Sequence, residues 1–141
     1  MAEVFGIVAG AFGACSLALE LLQVTKSVQR CWTRLQDLHS ISREISDSLQ
    51  NIERLLIVIK TLSIQETKDH YVFACLERCK YLLERVKNIT QDIEASKATK
   101  KLWNIKGSFR RLAFERNLSE ARALLRETID DLSLALLAMQ L

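Results

Sequence analysis

Between Gly13 and Gly107 the chain holds neither a glycine nor a proline, and proline is absent from all 141 residues. These are the two strongest breakers of helix: proline lacks an N–H and clashes with the preceding turn, and glycine loses the most backbone freedom on ordering. Through the same span apolar residues recur three and four apart, the period of a helix face and not the alternation of a strand. Hydrophobic residues make up 49% and charged residues 26%, a globular balance that argues against disorder. The fold class is therefore all-α, and 141 residues suit one domain with a core of its own.

The front of the chain is different from the rest. No charged residue occurs between Glu3 and Glu20. Ala2, Gly6, Gly10, Ala14 and Ala18 recur every four residues as a small-residue ridge, and Phe5, Val8, Phe12, Cys15, Leu19 and Leu22 form a large apolar seam beside it. A helix this apolar all round belongs in the centre of a bundle or in a membrane. A secretory signal would want positive charge ahead of the run, where only Glu3 stands. A spanning helix needs about 20 apolar residues, and this run is shorter and rich in glycine, which disfavours a permanent anchor.

The apolar pattern then narrows to one face. Val24, Val28, Cys31, Trp32 and Leu35 extend the first helix to about Asp37, with a bend expected near residues 25–27. Ser40 and Ser42 can cap a second helix carrying Ile41, Ile45, Leu49, Ile52, Leu56, Ile59 and Leu62. Thr67 can cap a third, with Val72, Cys75, Leu76, Cys79, Leu83, Val86, Ile89 and Ile93, ending near Lys97. A last helix follows Gly107 through Phe109, Leu112, Leu118, Leu125, Ile129, Leu132, Leu136 and Met139, with a break expected near Asn117. Long helices joined by short turns predict an up-and-down four-helix bundle with a long first helix. The apolar ending without a capping glycine suggests that residues 1–141 are a single domain, the N-terminal piece of a longer protein.

Chemistry is hard to find. There is no glycine-rich loop followed by Lys and Ser or Thr. Cys15, Cys31, Cys75 and Cys79 form no CxxC pair and sit in helical patterns, so they read as buried free thiols in a reducing compartment. With His39 and His70 as the only histidines, a closed zinc site would lack partners, and a cysteine nucleophile would lack a base. The expectation is no enzyme, no metal and no cofactor. A net charge of +3 is too small to imply nucleic acid, and no recognition module is present. One local concentration of basic charge remains: Lys100, Lys101, Lys106, Arg110 and Arg111, with Leu102, Trp103, Ile105 and Phe109 interleaved. It can meet anionic lipid head groups, each cation contributing about 1 kcal/mol near such a surface, or lie in solvent as an ordinary helix face.

The opening Met-Ala-Glu-Val-Phe-Gly-Ile-Val-Ala-Gly, Trp32 late in helix one, the Leu-Trp-Asn-Ile-Lys element at 102–106 and the Leu-Ser-Leu-Ala-Leu element at 132–136 together resemble the N-terminal HeLo-like domains of fungal NOD-like receptors and related signalling NTPases. The resemblance implies a four- or five-helix bundle, in the cytoplasm and ahead of an NTPase or sensor region, that homo-oligomerises on a signal. It further implies insertion of the first helix into the plasma membrane in programmed cell death, innate immunity or heterokaryon incompatibility. The executioner domain of the mixed-lineage kinase-like pseudokinase and the coiled-coil heads of some plant immune receptors look similar. On this reading residues 1–22 leave the bundle, Val4, Phe5, Ile7, Val8, Phe12 and Leu17 enter lipid, and Gly6, Gly10, Ala14 and Ala18 let copies approach closely. Glu3 and Glu20 would stay at the interface or line a polar path. The alternative is a helical adaptor of a signalling NTPase that oligomerises without entering membranes.

Overall fold

The computed structural model describes residues 2–35, 40–63, 69–98 and 107–140, with side chains described for 13–34, 41–62, 71–95 and 114–140. All of these residues are helical: α1 Ala2–Leu35, α2 Ser40–Ser63, α3 Asp69–Ala98 and α4 Gly107–Gln140. Helix α1 runs unbroken through residues 25–27, where the Thr25 hydroxyl donates to the Leu21 carbonyl at 2.7 Å. Nor does α4 break at Asn117; Leu118 and Phe114 are both buried and carry the apolar face through that point.

The helices form an all-α bundle in which α1 packs on α2 and α3, and α4 packs on α2 and α3. Chain neighbours are antiparallel, as short connections require. The order around the bundle is nevertheless α1, α2, α4, α3, with α2 and α3 across a diagonal. Polar contacts record the directions. Glu20 meets Lys80, Trp32 meets Thr90 and Arg34 meets Glu94, so α1 and α3 are parallel neighbours. Arg78 meets Asp131 and Arg85 meets Glu120, so α3 and α4 are antiparallel. It follows that α2 and α4 run side by side in the same direction.

Each helix presents a strict seven-residue seam to the interior. It is Ala14, Ala18, Leu21, Thr25, Val28 and Trp32 on α1, and Ser42, Ile45, Leu49, Ile52, Leu56 and Ile59 on α2. On α3 it runs Val72, Leu76, Cys79, Leu83, Val86, Thr90 and Ile93, and on α4 Phe114, Leu118, Ala121, Leu125, Thr128, Leu132, Ala135 and Met139. Alternating steps of three and four place these knobs between facing helices at a shallow crossing angle, about 20° in such bundles. Leu82 and Ile89 add a second buried row to α3. Surface ion pairs between helices mark register and contribute little, about 0–1 kcal/mol each.

One hydroxyl residue interrupts every seam. Thr25, Thr90 and Thr128 return their protons to carbonyls four residues back, at 2.7, 2.7 and 2.8 Å. Thr90 has a second task, accepting the indole N–H of fully buried Trp32 at 2.9 Å. Removing that acceptor leaves a buried donor unmatched, which costs about 1–3 kcal/mol. Urea denaturation should therefore find Thr90→Val less stable than the parent by that amount. Thr128→Val, which strands no donor, should lose under about 1 kcal/mol.

Candidate functional site

The candidate site is the front of α1 and the ground it packs on. The sequence expects this half of the helix to be buried all round. In the described part it is not: Ser16, Leu19 and Glu20 are exposed and Cys15 is half-exposed. The ridge residues Ala14 and Ala18 face the interior at 0% exposure, with Leu17, Leu21 and Leu22 beside them. The small ridge, not the large apolar seam, is thus the packing face over residues 14–18. The physical reason is close approach to α3: a Cβ built on Gly13 would lie 3.2 Å from the Phe73 ring. Sequence reasoning passed over Gly13 because it stands outside the four-residue ladder; only its partner on α3 reveals its part.

The remaining proposed residues fall differently. For Glu3, Val4, Phe5, Gly6, Ile7, Val8, Gly10 and Phe12 the helix is described and the side chains are not, and the same holds for Arg110 and Arg111 in α4. Lys100, Lys101, Trp103 and Lys106 lie outside the described residues. Glu20 is exposed and paired with Lys80 at 3.1 Å, a contact that raises the lysine's pKa, chiefly through the hydrogen bond to Glu20. The pair fastens α1 to α3 at the residue where the charge-free run ends.

Among the described residues the exposed large hydrophobics are Leu19, Ile57, Val58, Tyr71, Tyr81, Leu134 and Leu137. None lies on α1 after Leu19, on α2 before Ile57, on α3 after Tyr81 or on α4 before Leu134. Since α1 and α3 point one way and α2 and α4 the other, all seven belong to the half of the bundle that contains the start of α1. Among the described residues the far half exposes no large hydrophobic side chain. A shallow groove of about 550 Å³ lies between α3 and α4, lined by Ala74, Glu77, Arg78, Tyr81, Leu82, Glu127 and Asp131. Arg78 and Asp131 already pair within it at 3.6 Å.

The four cysteines are free, but they are not all buried as the sequence suggests: Cys75 and Cys79 are buried, Cys15 and Cys31 half-buried. Burial first, and the carboxylate of Asp131 second, push the Cys79 thiol up to about 12. Burial and the hydrogen bond with Glu94 also raise Cys31. Among the described residues no group of His, Cys, Asp and Glu side chains is arranged to hold a metal ion. Comparison with protein-family models, curated proteins and solved structures gives no match to this chain.

Two outcomes follow. At mildly alkaline pH a thiol reagent should label Cys15 first and Cys31 more slowly. Cys75 and Cys79 should react only after denaturation, because the thiolate is the reactive form; four equally fast thiols would contradict the packing. Gly13→Ala gains about 1 kcal/mol of helix propensity and displaces the half-buried Phe73 ring slightly, so its stability should stay within about 1 kcal/mol of the parent. Gly13→Leu, too large for the gap, should lose about 1–3 kcal/mol in the same denaturation assay.

Proposed function

We propose that this chain is a cell-death executioner domain of the HeLo-like kind, which self-associates and permeabilises the plasma membrane from the cytoplasmic side through the start of α1. The observation that carries the reading is the charge-free run between Glu3 and Glu20. It begins a single unbroken helix whose later turns are locked into a bundle core. Apolar side chains can exchange a protein interior for lipid at low cost, whereas charged ones cannot. Among the described residues no helix is long and apolar enough to cross a membrane. Permeabilisation on this reading is the work of several short helices together.

The packing narrows what can move. Withdrawing residues 1–22 would strip Leu17, Leu21 and Leu22 from the core. Each is worth about 1.5–3 kcal/mol when buried, and the three together rival the whole stability of a typical domain, about 5–15 kcal/mol. The moving part is therefore the segment before Gly13, with Val4, Phe5, Ile7, Val8 and Phe12 as its lipid contacts and Gly6 and Gly10 as its small-residue contact between copies. Leu17, Ala14 and Ala18 stay in the bundle, and Glu20 stays on Lys80. Lys100, Lys101, Lys106, Arg110 and Arg111 serve as the attachment to anionic head groups. An NTPase or sensor region supplies the trigger.

Dye release from liposomes, with and without anionic lipid, tests the reading. The parent should cause leakage, more on anionic vesicles. A chain beginning at Gly13, which keeps every described core residue, should stay helical by circular dichroism and cause none. Gly10→Glu should fold and lose most leakage, since a carboxylate in the segment opposes entry into hydrocarbon. Leakage undiminished by both changes would overturn the assignment. No leakage from the parent, together with oligomers that ignore vesicles, would favour the adaptor, a reading with the exposed apolar residues of α2 and α4 on its side.

A further inference from the structure

We infer that the groove between α3 and α4 is a docking site for a basic peptide segment, one that carries an apolar side chain between two cations. The apolar lining is Ala74, Tyr81 and Leu82, and the charged lining is Glu77 and Arg78 on α3 with Glu127 and Asp131 on α4. On α3 these residues recur three and four apart, so they form one stripe about 12 Å long. Glu127 and Asp131 stand one turn apart on the facing stripe of α4. Ala74 ends at its Cβ and leaves the space open, and the volume of about 550 Å³ is of the size that ligand clefts have. Tyr81 is the most exposed large hydrophobic side chain among the described residues, at 63%. The groove lies on a face without α1, so its occupancy is independent of the membrane reading.

Charge identifies the occupant. The lining holds three carboxylates against one guanidinium. That guanidinium, of Arg78, already pairs with Asp131 at 3.6 Å. The neighbouring Arg85 is held by Glu120 at 2.6 Å, with its guanidinium carbon 6.0 Å from the centre of the Tyr81 ring. Among the described residues Glu77 and Glu127 form no salt bridge. A partner without cations would bury these two carboxylates unpaired, which opposes binding. A nucleic acid or an anionic head group would be repelled by them. A bare polyamine would meet the carboxylates and leave Ala74, Tyr81 and Leu82 uncovered. A helical segment with Lys or Arg one turn apart and an apolar residue between them satisfies both halves of the lining. Its cations reach Glu77 and Glu127, its apolar side chain covers the stripe between, and the Tyr81 ring receives a cation as it already receives Arg85.

Fluorescence anisotropy with a dye-labelled synthetic helix tests this on the full chain. The probe carries lysine at every fourth position with leucine between, and two controls replace every lysine by glutamine or by glutamate. The parent should bind the lysine probe alone, less tightly as salt is raised. Glu77→Gln combined with Glu127→Gln should weaken binding about tenfold or more, and Tyr81→Ala should weaken it as well. All three side chains are exposed, so circular dichroism should be unchanged. Asp47→Asn, which removes the same charge from an exposed site on α2, should leave binding as it is. A parent that ignores the lysine probe, binding indifferent to the two glutamines, or equal binding of the uncharged probe overturns the proposal. So does spermine that displaces the probe at the probe's own concentration, which would make a bare polycation the occupant.

Discussion

The position of α1 on α3 depends on one buried hydrogen bond, from the Trp32 indole to the Thr90 hydroxyl. An indole N–H buried as fully as that of Trp32 must find an acceptor. Thr90 accepts it while sending its own proton to the Val86 carbonyl, so the chain of donors closes inside the core. Sliding α1 by one turn would strand the donor, so the bond fixes the register of the two helices. The other contacts between these two helices follow from that choice: Glu20 reaches Lys80, Arg34 reaches Glu94 and Gly13 comes to rest on Phe73. The hydroxyls in the remaining seams make no such selection. Thr25 and Thr128 are satisfied within their own helices, and Cys79 donates to the Thr128 carbonyl at 3.8 Å. Ser42 Oγ is buried with no hydrogen-bond partner, and the structure gives no account of it.

The helices themselves were legible in the sequence because helix is a local property. With no proline and a three-and-four apolar rhythm, Ile45, Leu49, Ile52, Leu56 and Ile59 could only be a buried stripe, and they are. The bend anticipated at residues 25–27 and the break anticipated near Asn117 rested on polar residues in the stripe. The helix nevertheless continues at both places: Thr25 bonds back to its own helix, and Phe114 and Leu118 hold their turn in place. The order of helices around the bundle was not legible. Amphipathic stripes say which face is buried, not which neighbour covers it, and only the long-range pairs Trp32 with Thr90 and Arg122 with Glu44 decide that α1 lies beside α3 and α2 beside α4. The same blindness inverted the reading of α1 near Leu19, where the larger apolar residue is outside and the alanines are inside.

That inversion bears on how α1 can move. Along its seam the buried side chains grow from Ala14 and Ala18 to Leu21, Val28 and Trp32. At about 0.8 kcal/mol for each buried methylene, a turn held by alanine resists separation by about 2 kcal/mol less than one held by leucine. The hold of the bundle on α1 therefore strengthens from front to back and ends in the Trp32 hydrogen bond, the one contact in the seam that cannot slip. A load applied to the start of the helix meets its weakest turns first and is stopped where Leu17, Leu21 and Leu22 enter the core. Small residues at the front thus do two things at once. They allow the close approach to Phe73 that completes the bundle, and they keep the cost of opening that end below the cost of unfolding the whole. A helix with leucines at positions 14 and 18 would have no room against α3 and, if room were made, would separate only when everything else did.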